Sequence, residues 1–155
     1  MSRLDLSIII VSYNTKDLLL DCLESIVSTK EGLKVQVIVV DNASGDGSVE
    51  AIQKFKNRLD DFVIIENKEN LGFSKANNLG VKKADGRYIL FLNSDTKLHT
   101  KTLPGMVVFM DTHSDASVAT CSLELLDGTL DDAAHRGFPA PWRAFCHFSG
   151  LCGRK

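Results

Sequence analysis

The chain has 155 residues, 44% hydrophobic and 25% charged, a composition that excludes a disordered polypeptide and fits one domain with a sizeable core. Lysine and arginine total 18 against 20 aspartates and glutamates, so the formal net charge is -2 and nucleic acid is a poor partner for want of a polycationic surface. No apolar run approaches the roughly 18 residues of a membrane span, and MSRLDLSIII lacks the length and cleavage site of a signal peptide, so a cytoplasmic location is expected.

Leu6 to Val11 (LSIIIV) is a nearly uninterrupted β-branched run, the pattern of a parallel strand buried on both faces. Thr15 to about Ser28 places Leu18, Leu19, Cys22, Leu23, Ile26 and Val27 at helical spacing, with Asn14 or Thr15 available as the cap. Val35 to Val40 predicts a second buried strand, residues 41 to 48 a turn-rich loop, and Val49 to about Leu59 a helix with Ile52 and Phe55 inward. A third strand covers Phe62 to Glu66. After the polar stretch from Asn67 to Gly72, Ser74 can cap a helix through Ala84 whose Ala76, Leu79 and Gly80 form a small, closely packing face. Arg87 to Leu92 predicts a fourth strand, and Pro104 lies in the first turn of a helix ending near Thr112. A fifth strand is expected from about Val118 to Leu126, and Asp127-Gly128 is a turn signal beyond which the periodicity fades.

This alternation predicts an α/β fold: a Rossmann-like open, mainly parallel sheet with right-handed crossovers and helices on both faces. Ligands of such sheets lie beyond the carboxyl ends of the strands. The loops to read are therefore Ser12-Tyr13-Asn14, Asp41 to Ser44, Asn67 to Ser74 and Asn93-Ser94-Asp95.

The glycine loops that cradle phosphates are missing: no glycine follows the first strand, and Glu50 stands where Ser44-Gly45-Asp46-Gly47 would need the third glycine of a dinucleotide fingerprint. Neither a Gly-Lys-Ser/Thr loop nor a G-x-S-x-G elbow occurs, which weakens nucleotidyltransferase, dehydrogenase and hydrolase readings alike. Cys22, Cys121, Cys146 and Cys152 form no C-x-x-C, and the spacing of Cys146, His147 and Cys152 fits no zinc pattern. What remains is a set of acidic and amide side chains. Asp41 can accept hydrogen bonds from a pyrimidine imide or ribose hydroxyls, Asp95 offers a hard oxygen to Mg2+ or Mn2+ held mostly by substrate phosphates, and the Tyr13 ring can stack on a base. Both aspartates suit turns and helix caps equally well by residue type.

The runs Ser7-Ile8-Ile9-Ile10-Val11-Ser12-Tyr13-Asn14, Val39-Val40-Asp41-Asn42-Ala43-Ser44-Gly45-Asp46-Gly47-Ser48, Asn70-Leu71-Gly72-Phe73-Ser74-Lys75-Ala76-Asn77-Asn78-Leu79-Gly80 and Phe91-Leu92-Asn93-Ser94-Asp95-Thr96, in that order, resemble a family 2 glycosyltransferase of the GT-A fold. Asp127-Gly128 followed by Arg136-Gly137-Phe138-Pro139 is similar to a bacterial rhamnosyltransferase subgroup, which puts rhamnose among the implied sugars. The resemblance implies transfer of a sugar, with inversion, from a dTDP- or UDP-linked donor to a glycan or lipid-linked acceptor in bacterial cell-envelope polysaccharide synthesis, with peripheral association at the inner face of the membrane.

Carried over residue by residue, Val11, Ser12 and Tyr13 would frame the base and Asp41 would hydrogen-bond the pyrimidine. Asn93 would lie near the ribose or sugar and Asp95 would be the metal ligand. Asn93 replaces the first aspartate of the commoner motif, leaving the metal one carboxylate. Asn70 and Gly72 would shape their loop, Lys75 could reach a phosphate or simply face solvent, and Asn77 could brace its helix. The family's catalytic base usually lies beyond position 155; Asp131 and Asp132 are the acidic pair at hand, and an exposed turn explains them as well. Residues 1–126 are thus expected to form the nucleotide-sugar-binding core and 127–155 the start of an acceptor-side region, in a chain short for the family that binds donor and transfers poorly. A non-catalytic nucleotide-binding or interaction domain on the same scaffold is the alternative.

Overall fold

Strand β1 (Leu6–Ser12) buries Ile8, Ile9 and Ile10 completely, as a run with no polar face must. In the computed structural model, which describes residues 4–131, it lies inside a four-stranded sheet of order β3-β2-β1-β4. The other strands are β2 (Val35–Asp41), β3 (Asp61–Glu66) and β4 (Tyr88–Asn93), and every pairing is parallel. Helix α1 (Lys16–Thr29) joins β1 to β2, α2 (Ser48–Ile52) with a 3-10 turn (Gln53–Asn57) joins β2 to β3, and α3 (Phe73–Val81) carries the chain back to β4. Helix α4 (Thr102–Thr112) follows, with Pro104 in its first turn.

The two faces of the sheet have separate cores. Ile8 and Ile10 pack with Leu19, Cys22, Leu23 and Ile26 of α1, with Ile52 and Phe55, and with Leu103 of α4, whereas Ile9, Ile38 and Val40 pack with Ala76 of α3. Helices therefore cover both faces. Gly80 makes the α3 contact possible: a Cβ there would stand 2.5 Å from Ile9 Cγ2. As an edge strand, β4 leaves Ile89 and Phe91 exposed, the latter at 54%.

At the amino ends of the strands a buried polar network replaces apolar packing. The Ser7 hydroxyl donates to Gln36 Oε1 at 2.6 Å and accepts the Gly86 N–H at 2.8 Å. Gln36 Nε2 donates to Asp61 at 2.7 Å, while its Oε1 also takes the Asp85 N–H at 3.0 Å. Satisfied in this way, a fully buried glutamine costs little.

Several local expectations are corrected. The helix expected over 49–59 tightens into the 3-10 turn at Gln53, because its inward pair, Ile52 and Phe55, is three residues apart and such residues eclipse in a 3-10 turn. Ser74 does not cap α3; Gly72, at φ +78°, occupies the cap position. The fifth strand does not form: residues 118–123 have no regular structure and Val118 is 88% exposed, because alternation creates a pairable segment but no strand pairs with it among the described residues. The chain divides into two compact units at Ala119 and Thr120. Among the described residues of the second, an antiparallel bridge, Glu124 to Leu130, closes over the expected Asp127-Gly128 turn, with Gly128 at φ +81°. Among the described residues no helix is long and apolar enough to cross a membrane.

Candidate functional site

The register brings the strand ends level: Ser12 lies opposite Asp41, and Val11 opposite Asn93. Strand order reverses between β1 and β4, since β1 leads through α1 to β2 on one side while β4 returns to its other side. An open α/β sheet takes its ligands at such a switch point, where the flanking loops part.

Two loops are locked together above β1 and β2. Asn14, at φ +52°, donates its N–H to the Ser44 hydroxyl at 2.9 Å, and its side-chain oxygen takes the Gly45 N–H at 2.8 Å. Asparagine tolerates the left-handed conformation that this turn needs. Asp41 is 2% exposed; its Oδ2 accepts the Ser44 N–H at 2.8 Å and its Oδ1 accepts the Ser44 hydroxyl. Ala43, between them, is held at φ +66°, a conformation that favours glycine. Asn42 and Asn67 extend the ladder past the strands by donating their N–H groups to Ser12 and Asp41 carbonyls, and the Asn67 amide reaches the Asn42 side chain at 2.9 Å.

Asp46, inside the turn-rich loop expected over residues 41 to 48, joins two helices. Its Oδ2 accepts the Lys16 N–H at 2.9 Å, at the start of α1, and its Oδ1 accepts both the N–H and the hydroxyl of Ser48, at the start of α2. The Ser48 hydroxyl, foremost among these donors, holds the Asp46 carboxyl below the usual carboxylate range. Asn14 and Thr15 therefore do not cap α1 through their side chains. The Thr15 hydroxyl instead lies 3.0 Å from that of Ser12 and donates to Ser94 at 3.1 Å, bridging β1 to the loop after β4.

That loop rests on α1. The Cys22 thiol donates to the Asn93 carbonyl at 3.7 Å, Ser25 Oγ takes the Leu98 N–H at 3.1 Å, and Asp21 pairs with Lys97 at 2.8 Å. Burial, with the negative charge of Asp95 adding to it, pushes the Cys22 thiol up to about 12, so it stays a protonated donor. The Asn93 and Asp95 side chains are exposed, and neither is held by a hydrogen bond from another described residue.

Of the other expected residues, Tyr13 is 49% exposed and Val11 half-buried, on either side of Ser12, which lies opposite Asp41. Asn70 accepts the Gly72 N–H at 2.9 Å and so shapes its loop. Lys75 is exposed in the first turn of α3, and Asn77 donates to the Phe73 carbonyl at 3.0 Å, bracing the helix. Asp131 donates its N–H to the Leu123 carbonyl in the second unit; Asp132, Arg136 to Pro139 and the Cys146-His147-Cys152 group lie outside the described residues. A shallow hollow of about 680 Å3 lies against Lys16, Ser44 and Glu50 and another of about 420 Å3 against Asn14, Lys16 and Asp46, and neither is lined by Asp41 or Asp95.

Among the described residues no three His, Cys, Asp or Glu side chains converge to hold a metal ion. Asp95 and Asn93 offer one charged and one neutral hard oxygen source, a donor set that fits Mg2+ or Mn2+ when a ligand diphosphate supplies most of the coordination.

The family model for glycosyl transferase family 2 matches residues 7–149. The chain is 36% identical over 100 residues to a poly(ribitol-phosphate) beta-glucosyltransferase of Bacillus spizizenii, covering 63% of this chain and 16% of that protein. It is 35% identical over 106 residues to the Escherichia coli UDP-Glc:alpha-D-GlcNAc-diphosphoundecaprenol beta-1,3-glucosyltransferase WfaP, covering 68% and 41%. Among solved structures, Staphylococcus aureus TarS 1-349 in complex with UDP-GlcNAc superposes with a TM-score of 0.66 at 28% identity, covering 72% of this chain and 32% of that one. The chain thus spans less than half the length of these relatives. Matched by the family model over most of its length and by the TarS backbone over 72% of it, the chain belongs to glycosyl transferase family 2 and has the GT-A fold.

Proposed function

We propose that the chain binds the donor of an inverting glycosyltransferase that moves a hexose from a UDP-linked sugar to a cell-envelope glycan or lipid-linked acceptor. One observation supports the reading: the ends of β1, β2 and β4 are level, so exposed Tyr13, Asn93 and Asp95 lie along one edge at the switch point, with the buried carboxylate of Asp41 at the end of the adjoining β2. Val11, Ser12 and the Tyr13 ring would frame the base, and Asp41 would accept the imide N–H of uracil, or of thymine in a dTDP donor. Asn93 would meet the ribose or the sugar, while Asp95 would hold the ion bound to the diphosphate. A divalent ion, when bound, would neutralise charge on the diphosphate. Lys75 would serve as a point charge for a phosphate, and Asn70 and Gly72 would keep their loop clear of the donor.

UDP-GlcNAc in the TarS complex and UDP-Glc in the name of WfaP favour a glucose-type sugar over rhamnose, whose support is the short Arg136 to Pro139 similarity. The lipid carrier in the WfaP name supports a lipid-linked acceptor and, with it, work at the cytoplasmic membrane surface. Asp131 and Asp132, the acidic pair that follows the sheet in sequence, are the candidates for the catalytic base. Thermal unfolding with UDP, with and without Mn2+, tests the reading, because a ligand of the folded state must raise its stability. A rise with UDP that grows in Mn2+ is expected. No rise in either buffer would refute donor binding.

A further inference from the structure

A carboxylate that recognises a base by accepting its N–H discriminates only if it stays put. Cytosine presents an acceptor where uracil presents the imide N–H, and a carboxylate free to turn, or to admit a water, would relieve the clash of lone pairs and bind both. The terminal torsion of aspartate is soft, so something must hold it. Here one residue does so: Ser44 bridges both oxygens of Asp41 with its N–H and its hydroxyl. The Ser44 hydroxyl is itself oriented, because it accepts the Asn14 N–H at 2.9 Å and so has its proton left for Asp41. Each Asp41 oxygen, taking one of these bonds, keeps a lone pair for a ligand.

We propose that Ser44 is the positioning residue for base selection, fixing the Asp41 carboxylate so that the site takes uracil or thymine nucleotides and rejects cytosine ones. The inference rests on the reading of Asp41 as the partner of the base. It separates selectivity from affinity: without the Ser44 hydroxyl the carboxylate remains, but its orientation does not.

Calorimetric titration of the 155-residue chain with UDP, CDP and UMP is the test. Ser44→Ala is expected to lower the UDP-over-CDP preference about five-fold or more while leaving the UDP-over-UMP ratio, which reports the diphosphate, within about two-fold of wild type. Ser44→Thr, which keeps the hydroxyl, should restore the preference. Ser44→Cys, nearly isosteric with a weak donor, should fall between them and serves if Ser44→Ala does not fold. An unchanged UDP-over-CDP ratio in folded Ser44→Ala or Ser44→Cys, or an equal loss of UDP and CDP, would overturn the assignment of Ser44. Asp41→Asn distinguishes the deeper failure. If that variant abolishes the preference while the Ser44 variants keep it, only Ser44 is misassigned; if it keeps the preference, or if the wild type has none or does not bind UDP, the reading of Asp41 falls and the inference with it.

Discussion

Replacing Asp46 by alanine strips the acceptor from the first turns of two helices at once. Loss of an N-terminal cap costs about 0.5–2 kcal/mol per helix. Here α1 loses the bond from Lys16 and α2 loses two bonds from Ser48, so a destabilisation of about 2 kcal/mol and a Tm lower by about 8 °C are expected. Asp46→Asn keeps one acceptor oxygen and turns an amide toward the other helix, which should retain about half of the effect. The pH dependence has a definite sign. The folded-state carboxyl titrates below its unfolded value of about 3.9, so its contribution is complete above that value and is lost as pH falls through the folded pKa. Urea unfolding of wild type and Asp46→Ala from pH 7 down to pH 3 measures this directly. The gap between the two proteins should be widest at neutral pH and close below pH 4. A gap under about 0.5 kcal/mol at pH 7, or one that does not change with pH, would show that solvent replaces the carboxylate at both helix ends.

Three further outcomes are expected. Asp41→Ala should weaken UDP binding by about 1.5–3 kcal/mol in calorimetry, the range for a hydrogen bond to a charged group. Asp95→Asn should abolish the gain in UDP affinity produced by Mn2+ while leaving the affinity in EDTA unchanged; equal wild-type affinities in the two buffers would argue against a metal at Asp95. Gly80→Ala should cost about 1–3 kcal/mol by chemical denaturation, because the new methyl meets Ile9 and α3 must lift from the sheet.

The strands were legible because a strand buried on both faces leaves little choice of residue: LSIIIV and VQVIVV are β-branched almost throughout. The places of Tyr13 and Asp41 were legible for the same reason, since each stands at the end of such a run, whereas Asn93 ends and Asp95 follows β4, an edge strand with Ile89 and Phe91 exposed. Bonds between residues distant in sequence were not legible. Asp46 and Lys16 are 30 residues apart and Thr15 and Ser94 are 79 apart, so local pattern makes Asp46 a turn residue and Thr15 a cap. Ser44 carries no signal beyond a serine three residues after an aspartate, a common turn. The fifth strand failed differently: propensity and alternation from Val118 to Leu126 describe a segment able to pair, and pairing needs a neighbour that alternation does not supply.

The polar network at the amino ends of the strands bears on the order in which the sheet assembles. Ser7 joins Gln36, 29 residues away, and Gly86, 79 residues away, so one hydroxyl bonds one near and one remote partner. Closing the longer loop costs about 0.9 kcal/mol more chain entropy than closing the shorter. Chain entropy thus favours pairing of β1 with β2 before β4 docks. Until then Ser7 and Gln36 satisfy each other, and the arriving backbone of Asp85 and Gly86 finds both acceptors already placed. Ser7→Ala removes one bond made early and one made late, so it should both slow folding and speed unfolding.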